Sequence, residues 1–204
     1  MSVELLERAA RELTPFLDEV ASRLAWHDFE ARLRAHGLRH DMSSPVICRW
    51  RAGKGYELLL DVMPGDATLL GFENRWQLPA LEHAVTCSLP SGRSIRAISP
   101  PYLVATKLEA WKGRGRGDHL RSHDLEDIIG LVDGRAELVD EVAASPDDLR
   151  AFLSCEIEAL LQQPRFLDAL DGTVIGFGDG GSGSGAEDRV DDVLLPRFHR
   201  LAGG

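Results

Sequence analysis

From residue 3 to residue 36 the apolar positions recur every three or four residues, through Leu5, Leu6, Ala9, Leu13, Phe16, Leu17, Val20, Leu24, Phe29 and Leu33. This is the period of a helix with one apolar face, and it predicts helix almost throughout, kinked or divided at Pro15 and around Ala21-Ser22. Gly37 supplies a C-terminal stop. The pattern then turns extended. VICRWRAGKGYELLLDVMP predicts a hairpin with strands near 46–51 and 56–63 around Ala-Gly-Lys-Gly, and AVTCSLPSGRSIRAIS predicts a second, turning at Pro90, Ser91 and Gly92.

Beyond Pro101 the helical period returns. Pro-Pro opens a helix running through Tyr102 to Trp111, a glycine-rich loop follows, and Ser122 is placed to cap a helix through Val132. Ser145-Pro146-Asp147-Asp148 marks the start of a helix over 146–162. GFGDGGSGSG, residues 176–185, reads as a flexible linker. RVDDVLLPRFHRLA then forms a short terminal helix. The expected fold class is therefore α/β of the α+β kind, with a mixed sheet in the first half and a helical C-terminal half. Its parts are a core with its N-terminal helix over 1–100, a helical region over 101–175, a linker over 176–188 and a terminal helix over 189–204.

A length of 204 residues suits one domain with extensions. The 44% hydrophobic and 27% charged content is that of a globular chain. No apolar run approaches the roughly 18 residues that span a bilayer. The acidic amphipathic start lacks the features of a secretory signal, so a cytoplasmic location is expected. Cys48, Cys87 and Cys155 are scattered and outside any CxxC spacing, which points to reduced thiols. The net charge of −10 opposes general nucleic-acid coating, so any phosphate contact has to be local.

Two places carry candidate chemistry. In LLLDVMP, Asp61 ends a run of three leucines; a buried carboxylate there costs several kcal/mol unless a metal or cation meets it, and an acid reaching solvent at a strand end is the simpler account. Glu57 lies on the same strand face but roughly 13 Å away. In the second place, Lys107, Lys112, Arg114, Arg116 and Arg121 surround glycines whose amides can approach an anion. Asp124 and Asp127, three apart, project from one side of the following helix. Acids in a first turn also suit the helix dipole, which accounts for Asp124 better than for Asp127. His119, His123 and Asp127 are spaced four apart, the pattern of a transition-metal site and hence of a metal-dependent hydrolase, although Gly117-Asp118 disfavours helix at His119.

Three segments carry a resemblance: HGLRHDMSSPVICRWRAGKGYELLLDVMPGD, ENRW at 73–76, and ISPPYLVATKLEAWKGRGRGDHLRSHDLEDIIGLVDGR. Together they resemble bacterial nucleotidyltransferase-fold proteins of the AbiEii/AbiGii toxin type, within the DNA polymerase beta-like superfamily and often linked to type IV toxin–antitoxin systems. The resemblance implies a truncated nucleotidyltransferase-like sheet and a site for a nucleoside triphosphate with magnesium. In it Asp61 is the third metal-binding acid, Lys107 meets the nucleotide phosphates together with Arg114, Arg116 and Arg121, and Asp124 and Asp127 form the basic-Asp-x-x-Asp motif. An antitoxin, and an RNA or protein acceptor, are the partners it implies.

One part of the family pattern is missing. A Gly-Gly or Gly-Ser turn and an Asp-x-Asp pair stand upstream of the third acid in that superfamily, whereas here LDEV at 17–20 runs straight into ASRLAWHDFEARLRAHG. Two-metal transfer needs several carboxylates around its ions, so impaired or absent catalysis is expected. The competing expectation is an active transferase that borrows acids from another chain or from Glu57, Asp66 or Asp124. A shortened sheet also leaves an apolar face, to be covered by the 3–36 helix or by a second copy of the chain in a homodimer.

Overall fold

The structure, a computed structural model, describes residues 4, 5, 7–9, 23–46, 48–62, 74–114, 122–177 and 189–203, with the backbone alone for 23–25, 114 and 171–177. The chain divides into two compact units, one of residues 1–73 with 84–97 and the other of residues 74–83 with 98–204. It is a mixed α/β protein: the first unit contains all the strands of the described residues, the second is helical.

In the first unit, residues 4, 5 and 7–9 are helical, and a helix α1 spans Arg23–Ala35. The stretch of the expected N-terminal helix between 10 and 22 lies outside the described residues. Gly37 ends α1 as its sequence implies. At φ 93° it takes a left-handed conformation that a side chain would strain. Leu38 N donates to Leu33 O at 3.0 Å, so the chain folds back one turn and buries both leucines in the same cluster.

Strands β1 (Arg39–His40), β2 (Arg49–Ala52) and β3 (Leu58–Asp61) form an antiparallel sheet in that order. Register sets Arg39 opposite Arg51 opposite Leu59, and His40 opposite Trp50 opposite Leu60. Because side chains alternate, Trp50, Ala52 and Leu58 pack with Phe29, Leu33 and Leu38 on one face, while Arg39, Arg49, Arg51, Leu59 and Asp61 share the other. Strand β3 begins two residues later than the sequence suggests because Tyr56, at φ 55°, leaves the extended region before it. In the turn, Glu57 accepts from Gly55 N at 2.8 Å, and its carboxylate fills the space a Cβ on Gly53 would need.

The second hairpin forms as expected from β4 (Val85–Ser88) and β5 (Ser94–Ala97), with Leu89 N donating to Arg93 O at 2.7 Å across the turn. Among the described residues it remains a separate two-stranded antiparallel sheet. Among the described residues the strands therefore form two small antiparallel sheets where a mixed sheet is expected from the sequence. Residues 74–83, expected within the 1–100 core, group with the helical unit.

The helical unit comprises α2 (Gln77–Glu82), α3 (Pro100–Arg114), α4 (His123–Gly134), α5 (Leu138–Ala143), α6 (Asp147–Leu161), α7 (Pro164–Phe177), a π-helical turn Val190–Leu194 and α8 (Leu195–Leu201). Leu108 of α3, Leu125 and Ile129 of α4, Leu149 and Ile157 of α6, and Leu194 and Phe198 of the terminal segment meet in one core. Ser122 caps α4 as expected, its hydroxyl accepting from Leu125 N. Ser145 does not cap α6; its hydroxyl turns back to donate to Glu141 O of α5, and Asp148 accepts from Leu149 N instead.

Helix α7 continues through Gly176 and Phe177, the first residues of the expected linker; the rest of that linker lies outside the described residues. Pro196 cannot donate a backbone hydrogen bond, and just before it the ladder shifts to i+5, Leu195 N donating to Val190 O. The terminal helix is part of the core rather than an appendage. Arg197 Nη1 donates to Val132 O at 2.7 Å and Asp133 O at 2.6 Å, satisfying carbonyls that the end of α4 leaves open. Among the described residues no helix is long and apolar enough to cross a membrane.

Candidate functional site

Asp124 and Asp127 come to one side of α4 by their three-residue spacing, and the buried Leu125, Ile128 and Ile129 turn that helix so that this side meets α3. On α3, Lys107 precedes the fully buried Leu108 and lies at the rim of the same contact. Its Nζ stands 3.3 Å from Asp124 Oδ1 and 2.5 Å from Asp127 Oδ2. Burial pushes the Lys107 ammonium down, but the hydrogen bond and charge of Asp127, and then of Asp124, outweigh it and leave its pKa raised. The ammonium stays charged, and the cluster of one cation and two carboxylates carries a net charge of −1.

Next to it, His123 Nδ1 lies 2.8 Å from Glu126 Oε2, which raises the imidazole pKa first by hydrogen bonding and then by charge. Thus of the residues considered for a transition-metal site, His123 is held by Glu126 and Asp127 by Lys107, while His119 lies outside the described residues. Lys112 pairs with Glu156 of α6 at 2.5 Å and ties two helices together. The side chain of Arg114, and all of Arg116 and Arg121, also lie outside the described residues.

Asp61 belongs to the first unit. It ends β3 with its side chain 42% exposed, and Arg49 on the neighbouring strand grips it through two bonds, Nε to Oδ1 at 2.7 Å and Nη2 to Oδ2 at 2.8 Å. The cation that meets this carboxylate is a guanidinium, and the acid also reaches solvent. Glu57 is likewise engaged, by the amides of its own turn and by Arg8, which hold its carboxyl below the usual range. Asp66 lies outside the described residues. Among the described residues no group of three or more His, Cys, Asp or Glu side chains is placed to hold a metal ion.

Sequence reasoning passed over one acid, Asp41. It is buried to 5% exposure and accepts from Ser43 Oγ at 2.6 Å and from Arg51 Nη2 at 3.2 Å. The Arg51 bond first, and then Ser43, hold its pKa at about 2 against the opposing effect of burial. The signal was present in the alternation of arginines around Trp50, which implies two guanidiniums on one strand face in need of partners.

Chemically, the Lys107 cluster sets one ammonium against two carboxylates and so ties α3 to α4. No protein-family model matches the chain, and neither a curated protein nor a solved structure matches it.

Proposed function

We propose that the protein is a nucleotidyltransferase-like nucleotide-binding protein, akin to type IV toxins, that binds a nucleoside triphosphate with magnesium and transfers nucleotide weakly or not at all. The observation that carries this reading is the bridge from Lys107 to Asp124 and Asp127, which sets a charged ammonium and two carboxylates at one point, the groups that metal-assisted phosphate binding uses. Magnesium would compete for the two aspartates and free Lys107 for the phosphates, with Arg114, Arg116 and Arg121 as further cationic contacts. Weak catalysis is favoured because residues 17–61 contain no Asp-x-Asp and because Asp61, the remaining acid of the pattern, would have to exchange a side-on guanidinium for a metal. An RNA or protein acceptor and an antitoxin belong to the same proposal.

Calorimetric titration of the full chain with each nucleoside triphosphate and magnesium tests it. Binding is expected to weaken about tenfold or more in Lys107→Ala, as for a lost charged contact. Equal affinity in the two proteins, or no binding in either, overturns the reading. Transfer of labelled nucleotide is expected at background, and brisk transfer abolished by Asp61→Asn would show a working enzyme instead.

A further inference from the structure

We propose that the open face of the β1–β3 sheet docks an acidic peptide segment of a partner protein, one that carries an apolar side chain between its acids. This surface lies wholly in the first unit and does not depend on the nucleotide reading.

The face is a small array. Arg39, Arg51 and Leu59 stand in one row across the three strands, and Arg49 and Asp61 stand in the next, with Asp41 just beyond β1. Arg51 is held by Asp41 through Nε at 3.1 Å and Nη2 at 3.2 Å, and Arg49 by Asp61 through the same two nitrogens. Each carboxylate therefore occupies the Nε side of its guanidinium and leaves Nη1 to donate elsewhere. Arg39 is held differently, its guanidinium 4.4 Å above the ring of Tyr56. Three guanidiniums are thus fixed in place before any partner arrives, so little side-chain freedom remains to be lost on binding.

Charge selects the occupant. Three arginines against Asp41 and Asp61, with Glu57 of the same face already matched by Arg8, leave this face at +1 on a chain whose net charge is −10, so it is a positive island that carboxylates can meet locally. A polyphosphate strand fits less well, because its affinity comes from releasing many counterions, and two of the three cations here already have counter-charges. Leu59 decides further. It is 52% exposed on the edge strand β3, opposite Arg51, and offers contact to an apolar side chain that a phosphate backbone lacks.

Fluorescence anisotropy of the full chain tests this, using a fluorescein-labelled peptide of about ten residues with two glutamates flanking a leucine. The same peptide with glutamines and a labelled oligouridylate of similar length complete the set. Affinity on the order of 10 μM at low salt is expected for the acidic peptide. It should fall about tenfold for the glutamine peptide and for Arg39→Ala, and about fivefold for Leu59→Ala. Both substituted side chains are exposed, so far-UV circular dichroism and the thermal midpoint should not move; Arg39→Gln serves if Arg39→Ala does disturb them. The proposal is overturned if no acidic peptide binds, if Arg39→Ala binds as well as the parent, or if oligouridylate binds more tightly and Leu59→Ala is indifferent to it.

Discussion

Lys107 and Asp127 meet at 2.5 Å across the α3–α4 contact, joining two helices separated in sequence by a basic, glycine-containing stretch. The same ammonium reaches Asp124, whose side chain is only 14% exposed. Replacing Lys107 by Met is therefore expected to destabilise the helical unit by about 1–2 kcal/mol, read from the urea midpoint. Asp127→Asn should cost less, about 0.5 kcal/mol, because Asp127 is more than half exposed. Since the lysine pKa is raised, this contribution is present up to the ordinary lysine range and is lost as pH rises through the raised value. The difference between wild type and Lys107→Met should accordingly shrink in strong alkali, and a difference independent of pH would show that packing alone is responsible.

The pairing of Asp41 with Arg51 makes a prediction at the opposite end of the pH scale. A carboxyl held at about 2, against an ordinary value of 3.8, contributes stability above pH 4 that disappears as pH falls through 2. Carbon-detected NMR should place the Asp41 titration near the lower value in the wild type. In Arg51→Ala it should move up toward the ordinary range, and a midpoint that stays put would transfer the cause to Ser43.

Gly37 is required by its backbone, since nothing lies within 4 Å of where its Cβ would be and its φ is 93°. Gly37→Ala should cost about 1–2 kcal/mol through strain at the end of α1. A neutral substitution, measured by thermal unfolding, would mean that the helix terminates without the left-handed turn.

Phe198 is fully buried and meets Phe166 edge to face, with ring centroids 5.3 Å apart. Phe198→Ala should destabilise the helical unit by about 3–5 kcal/mol. Leu167→Ala, at a position 40% exposed, should stay within about 1 kcal/mol. Similar effects at the two sites would return the terminal helix to the status of a loose appendage.

Much of the local structure was legible because it depends on neighbours in the chain. The two hairpins, the glycines at 37 and 92, and Ser122 before an apolar period each act within a few residues, and each acts in the structure as read. The three-residue spacing of Asp124 and Asp127 likewise placed them on one face before any partner was known. What local signals did not carry was the choice among partners. Ser145 has the chemistry of a cap, yet Glu141 O claims its hydroxyl, and the segment 74–83 groups with the helices rather than with the 1–100 core. The nearest case is Asp61. Its sequence position required a cation or solvent; only strand register, which sets Arg49 directly across from it, decided that the cation is a guanidinium. Periodicity fixes which way a side chain points, but charge neutralisation depends on what stands opposite, and that is a property of the folded sheet rather than of the strand.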